Sequence, residues 1–238
     1  MKDRRLLVVG AHSADFVWRA AGTIAGHTSG GGKALVVALS FGERGESGEL
    51  WKEPGQTEEN VKRIRSQEAS QAAQAIGAEF TCLDLGDYPL EVTTPRLQRL
   101  IDVIRDFAPD VVITHTDRDP FNPDHAAAHA AVAKARLLTS GAGVASAFAT
   151  THPSEFLAFE PHQPELCAFM PTTFVDITSS MEAKKKAMRA MAAQSYLVEY
   201  YLQRATQRAN HARRLSGRKD IQFAEAFQRL LPVVQPAI

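Results

Sequence analysis

The chain has 238 residues, a formal net charge of zero and a 45% hydrophobic content, the balance of an ordinary globular protein without the basic excess of a nucleic-acid or membrane-surface binder. Cys82 and Cys167 form neither a CxxC pair nor a disulfide framework, so a reducing cytoplasm is expected. No apolar run is long enough for a signal peptide or a bilayer span, which predicts no membrane partner.

Residues 6–11 are a short apolar run that reads as a strand, and a polar cluster follows at once. Residues 16–28 read as a helix and 33–41 as a second strand. Residues 42–56, rich in Gly, Glu and Ser, read as a long loop. Residues 57–76 form a charged amphipathic helix stopped by Gly77. Residues 80–85 are a third strand. Residues 94–107 are a third helix, with Leu97, Leu100, Ile101 and Ile104 at helical spacing. Residues 111–114 are a fourth strand, a polar loop runs to Pro123, and 124–138 form an Ala-rich helix. Beyond a loop at Gly141-Ala142-Gly143, residues 156–159 and 173–177 read as strands. Residues 179–211 read as a long helix and 224–231 as a short last one. Strands alternating with helices imply right-handed β-α-β units. The expected fold is α/β: a Rossmann-like, mostly parallel sheet flanked by helices, with a less regular C-terminal α/β extension. No repeat or linker divides residues 1–238, so one domain is expected.

Two polar clusters carry the chemistry. Gly10-Ala11-His12-Ser13-Ala14-Asp15 follows the first strand directly. The cluster from Asp117 to His125 follows the fourth, with His129 one helical turn later. Open α/β sheets bind ligands beyond the carboxyl ends of their strands, where the strand order reverses. If the first and fourth strands are neighbours there, His12, Asp15 and His125 supply two nitrogens and one oxygen. Three protein ligands with an open fourth position is the pattern of a catalytic zinc site. The same set accepts iron, manganese or cobalt. Against this stands a plainer reading, in which Asp124 is a helix cap and His129 a surface residue.

These residues resemble the PIG-L (LmbE-like) family, zinc-dependent N-acetyl-sugar deacetylases. The family's (A/P)-H-P-D-D motif stands here as Ala11-His12-Ser13-Ala14-Asp15, and its H-P-D-H motif as Asn122-Pro123-Asp124-His125. Gly42-Glu43-Arg44-Gly45-Glu46, Arg65-Ser66-Gln67-Glu68, Phe174-Val175-Asp176-Ile177-Thr178, Gln194-Ser195 and Ala224-Glu225-Ala226-Phe227 extend the resemblance over nearly the whole chain. The resemblance implies that His12, Asp15 and His125 hold Zn2+. It also shows two departures. The family's general base is Ala14 here, and a methyl group takes no proton. The His that steadies the oxyanion is Asn122 here. Metal ligands kept without the groups for amide hydrolysis point to other chemistry on the same site. Gly10 to Arg19, Ser40 to Ser47 and Leu85 to Leu90 are similar to the family's 4-oxalomesaconate hydratase branch. That branch adds water to a conjugated double bond in gallate-type aromatic catabolism, giving 4-carboxy-4-hydroxy-2-oxoadipate.

The resemblance thus implies a hydro-lyase acting on a small polycarboxylate. Glu46, in the loop after the second strand, is the first candidate for the base, with Glu43 and Glu49 equally available by composition. His162 is the candidate acid or substrate ligand, and His152 competes for that role. Asp124 is expected to orient a ligand or the reacting water. Arg44 and Arg118 are expected to bind substrate carboxylates, together with Asn122; Arg19 and Arg213 are further possibilities. Lys184-Lys185-Lys186 reads as an exposed helix face. Tyr196, Tyr200 and Tyr201 read as helix packing or a subunit interface, in line with a homo-oligomer. Two other readings stay open: a deacetylase with a displaced base, and a metal-binding protein that has lost catalysis.

Overall fold

Strand β1 (Arg5–Gly10) is apolar on both faces. Leu6 and Val8 enter one layer of the core, Leu7 and Val9 the other, and all four are buried. A strand covered on both sides loses polar alternation in this way, so β1 lies at the centre of a parallel sheet. The computed structural model describes residues 3–234. Its seven-stranded sheet has the order β3-β2-β1-β4-β5-β7-β6. Strands β2 (Lys33–Ala38), β3 (Glu79–Cys82), β4 (Val111–Thr114) and β5 (Glu155–Phe159) run parallel to β1. Strand β7 (Ala224–Arg229) runs antiparallel between β5 and β6 (Thr173–Asp176).

One face of the sheet packs on α1 (Asp15–Ser29), α2 (Glu58–Ala75) and α5 (Met181–Ala190). The other packs on α3 (Thr94–Phe107) and α4 (Pro123–Leu138). Helix α6 (Val198–Ser216) covers β6 and β7. Local chemistry fixes the helix starts. The Thr57 hydroxyl accepts the Asn60 N–H at the start of α2, and Glu58 and Glu59 favour its positive end. Asn122 caps α4 through the Asp124 N–H, with Pro123 at the first position. The chain moves outward from β1 through β2 to β3, then returns to place β4 on the other side of β1. The strand order reverses there, and both polar clusters open at that point.

Three expectations are corrected. Residues 224–231 are not a helix. Residues 224–229 form β7, because pairing with strands on both sides buries Ala224 to Phe227 and outweighs the helix propensity of Ala, Glu, Gln and Arg. Residues 179–211 are not one helix. A 3-10 turn precedes α5, and a second 3-10 segment, Ala192–Leu197, separates α5 from α6. The break has a physical cause: the Ala193 N–H donates to the Glu68 carboxylate rather than to a helical carbonyl. Lys184 is buried, not exposed. It donates to Glu225 and to the Trp18 carbonyl, tying α5 to β7 and α1.

Candidate metal centre and active-site cavity

His12 sits in the turn after β1 and Asp15 opens α1. Gly10 lets them approach: a Cβ there would stand 2.8 Å from Asp15 Cβ. His125 lies in the first turn of α4. Glu46 follows a turn at Gly42, whose φ of +71° suits glycine and where a Cβ would stand 3.1 Å from His12 Cβ. Ligand-capable atoms of His12, Asp15, Glu46 and His125 all fall within 4.8 Å of one another. Of the three loop carboxylates considered, Glu46 alone joins this group. Glu43 turns to Lys62, and Glu49 pairs with Lys52 at the surface.

The donor set fits a divalent cation. His12 Nδ1 and His125 Nε2 are buried and have no hydrogen-bond partner among the described residues. The far sides of both rings face acid groups. His12 Nε2 lies 3.1 Å from Asp87 Oδ1 and 3.5 Å from Asp124 Oδ2, and His125 Nδ1 bonds Asp119 Oδ2 at 2.8 Å. Carboxylates behind imidazoles fix the tautomer and turn the other lone pair inward. Charge agrees. Burial opposes a proton on His12, yet Glu46, Asp124 and Asp87 outweigh it and raise its pKa well above the ordinary value. This concentration of carboxylates calls for a positive charge between them. Burial works against ionised Asp15 and Glu46, but the His115 hydrogen bond and the Arg19 charge around Asp15, and His12 beside Glu46, hold both carboxylates well below the usual range.

Several supporting groups escape a reading of the sequence. Asp15 is held by the His12 N–H, by Arg19 and by His115, whose Nε2 lies 2.9 Å from Asp15 Oδ2. The His115 ring stacks on His125 with centroids 3.9 Å apart. Burial and the neighbouring His125 lower the His115 pKa to about 3, so its ring is neutral. Asp87 accepts the Arg44 and Gly45 N–H groups and the Ser40 hydroxyl while facing His12. It therefore links the Glu46 loop to a candidate ligand. Arg19, considered as a substrate cation, is buried behind Asp15 instead.

A cavity of about 630 Å³ opens over the cluster, lined among others by Glu46, Asn122, His125, His162, Gln194 and Tyr196. His162 thus reaches the site. Its Nδ1 lies 3.2 Å from the Tyr201 hydroxyl, and Tyr200 and Arg204 hold its carbonyl. Burial and the Arg19 charge lower its pKa to about 4, so it is a neutral imidazole near pH 7. His152 is exposed and outside the cavity. Asp124 lies behind His12 and accepts the Tyr88 and Leu90 N–H groups. Asn122 caps α4 and also lines the cavity. Arg44 and Arg118 do not reach it. Arg44 pairs with Glu58 outside, and Arg118 is exposed because its loop turns Asp119 and Asn122 inward. Among the described residues the cavity wall carries no Arg or Lys; Asn, Gln and Tyr side chains provide its neutral donors. Tyr196 and Tyr200 belong to this wall as well as to helix packing.

A reversal-point cavity above a His, Asp and His cluster that could hold a metal ion is the arrangement of an α/β protein with a candidate metal site. The GlcNAc-PI de-N-acetylase (PIG-L) family model matches residues 7–136, and the chain belongs to that family. It is 44% identical over 235 residues to a 4-oxalmesaconate hydratase of Pseudomonas putida, covering 98% of this chain and 91% of the relative. The crystal structure of GalB, the 4-carboxy-2-hydroxymuconate hydratase from Pseudomonas putida KT2440, superposes with a TM-score of 0.95 at 42% identity, over 99% of each chain. A 1D-myo-inositol 2-acetamido-2-deoxy-alpha-D-glucopyranoside deacetylase of Mycobacterium sp. (strain KMS) is 30% identical over 80% of this chain and 74% of its own.

Proposed function

We propose that the protein is a metal-dependent hydro-lyase that adds water to 4-oxalomesaconate, giving 4-carboxy-4-hydroxy-2-oxoadipate in gallate-type catabolism. The observation that carries this reading is the Glu46 carboxylate, 3.2 Å from His12 Nδ1 in a cluster where the family's usual base is the core residue Ala14. The likeness to two named hydratases over nearly the whole chain supports it. Their two substrate names describe keto and enol forms of one tricarboxylate.

His12, Asp15 and His125 would hold the ion, which we assign as zinc. Such an ion supplies positive charge where negative charge builds on a substrate oxygen. Glu46, ionised and facing the cavity, takes a proton from the attacking water. The water oxygen bonds to the fully substituted alkene carbon, which carries no hydrogen, and the π pair moves to its CH neighbour. Glu46 returns the proton to that neighbour, so one water is added and nothing else is gained or lost. His162, neutral, serves as a hydrogen-bonding ligand of the substrate. Asn122 and the neutral donors of the wall receive its carboxylates, and Asp124 orients His12. The whole chain acts as one domain. Free Cys82 and Cys167 suit a reducing cytoplasm, and exposed Leu166, Met170 and Tyr196 suit self-association. No helix among the described residues is long and apolar enough to cross a membrane.

The test pairs two assays on metal-loaded protein: ultraviolet loss of the conjugated substrate, and amide hydrolysis of small N-acetyl compounds. Hydration without amide turnover is expected. Amide turnover without hydration would falsify the reading, and inactivity in both assays would leave only a metal-binding protein.

A further inference from the structure

Gln194 lies at the break between α5 and α6, where its backbone (φ −128°, ψ 29°) leaves the helical range. It is buried, yet its side chain reaches the cavity wall beside Glu46. Its two amide atoms face different partners. Oε1 accepts from Arg65 Nη2 at 2.7 Å, and Nε2 donates to Glu46 Oε2 at 3.5 Å. An amide can in general be turned over, exchanging oxygen and nitrogen. Here it cannot, because a guanidinium offers donors and no acceptor. The amide oxygen must face Arg65, so the NH2 group must face Glu46.

Arg65 is itself fixed. It is wholly buried, and its Nη1 donates to Glu68 Oε2 at 2.8 Å. Glu68 Oε1 accepts the Ala193 N–H at 2.8 Å. One ion pair rooted in α2 therefore holds both the backbone before Gln194 and the Gln194 side chain. The Glu46 oxygens are divided in the same way. Oε1 faces His12 Nδ1 at 3.2 Å and His125 Nε2 at 3.8 Å, while Oε2 faces Gln194.

We propose that Gln194 is a positioning residue for the reaction. Its amide, polarised in one sense by Arg65, presents an N–H that fixes the orientation of the Glu46 carboxylate. The inference rests on Glu46 being the base.

Two substitutions in the full-length, metal-loaded protein separate this role from a structural one. Gln194→Glu keeps the size and the oxygen on Arg65, and gains an ion pair with it, so thermal stability holds. It also sets a carboxylate oxygen against Glu46. Gln194→Leu removes both bonds and leaves the Arg65 donor unpaired, so it lowers Tm. Positioning predicts that kcat falls about tenfold in Gln194→Leu, the size of one lost hydrogen bond. In Gln194→Glu it falls about 100-fold or more, as when a general base is misplaced. KM and metal content stay close to those of the parent in both. The more stable variant is then the less active. If Gln194→Glu is instead the more active of the two, the order expected of a structural residue, the inference is overturned. Glu46→Gln is the control. Full turnover in that variant overturns the base assignment, whereas loss of turnover there with a fully active Gln194→Glu overturns this inference alone.

Discussion

Asp87→Asn exchanges one carboxylate oxygen for an amino group at a site where both oxygens are used. Oδ2 accepts the Arg44 N–H at 2.7 Å and the Gly45 N–H at 2.9 Å. Oδ1 accepts the Ser40 hydroxyl at 3.2 Å and faces His12 Nε2 at 3.1 Å. An amide has a single oxygen to offer. If it keeps the backbone donors, its NH2 points at His12; if it turns over, two part-buried N–H groups lose their acceptor. A fully buried unsatisfied donor costs about 1–3 kcal/mol, and each of these two part-buried donors falls toward the lower end. A loss of about 2–3 kcal/mol lowers Tm by about 4–12 °C in a chain of this size. Loosening the group behind a metal-ligating imidazole also costs about 10- to 100-fold in metal affinity. Melting of the metal-free and metal-loaded protein measures the first quantity, and competition with a chelator the second. A lower Tm with unchanged metal affinity would show that Asp87 anchors the loop without acting through His12.

Glu46→Gln should lower kcat by about 10²- to 10⁴-fold while metal content stays at the parent's level; parallel loss of metal would make Glu46 a ligand instead. His12 in the metal-free protein has a raised pKa, so an entering ion must displace its proton. Metal affinity should therefore rise with pH, by about tenfold per unit while His12 is protonated, and calorimetry in two buffers should show proton release. Absence of that release would contradict the assignment. The corresponding stability of the metal-free fold is fully present below about pH 6.5 and is lost as pH rises through the folded His12 pKa. His162, whose folded pKa is lowered to about 4, has the opposite sign. Its contribution is present above about pH 6.5 and is lost as pH falls from there toward 4, so His162→Asn should flatten the acid side of the melting profile.

Much of the fold was legible because β1, β2 and β4 are continuous apolar runs, each followed at once by a polar cluster or a Gly-rich loop. The reversal between β1 and β4 then brought His12, Asp15 and His125 together as their spacing allowed. Residues 224–231 misled because good helix formers there are paired on both sides by strands distant in the chain, which no local pattern reports. The supporting groups were hidden for a similar reason. Asp87 lies in a segment whose resemblance was recognisable, but its tie to His12 depends on a fold contact 75 residues away in sequence. Gln194 is set by Arg65 across 129 residues. Arg44 and Arg118 stand in loops that border the site, yet loop membership does not determine which side of the loop a side chain takes. Lys184 read as part of a charged face because its partner, Glu225, comes from the strand that was misread.

The most direct test of the central claim is proton NMR of the metal-loaded protein with 4-oxalomesaconate. Hydration predicts loss of the vinyl resonance and the appearance of a second methylene pair, at a rate that collapses in Glu46→Gln and returns on metal replenishment of stripped parent protein. A vinyl resonance that persists with metal bound at His12, Asp15 and His125 would contradict the account.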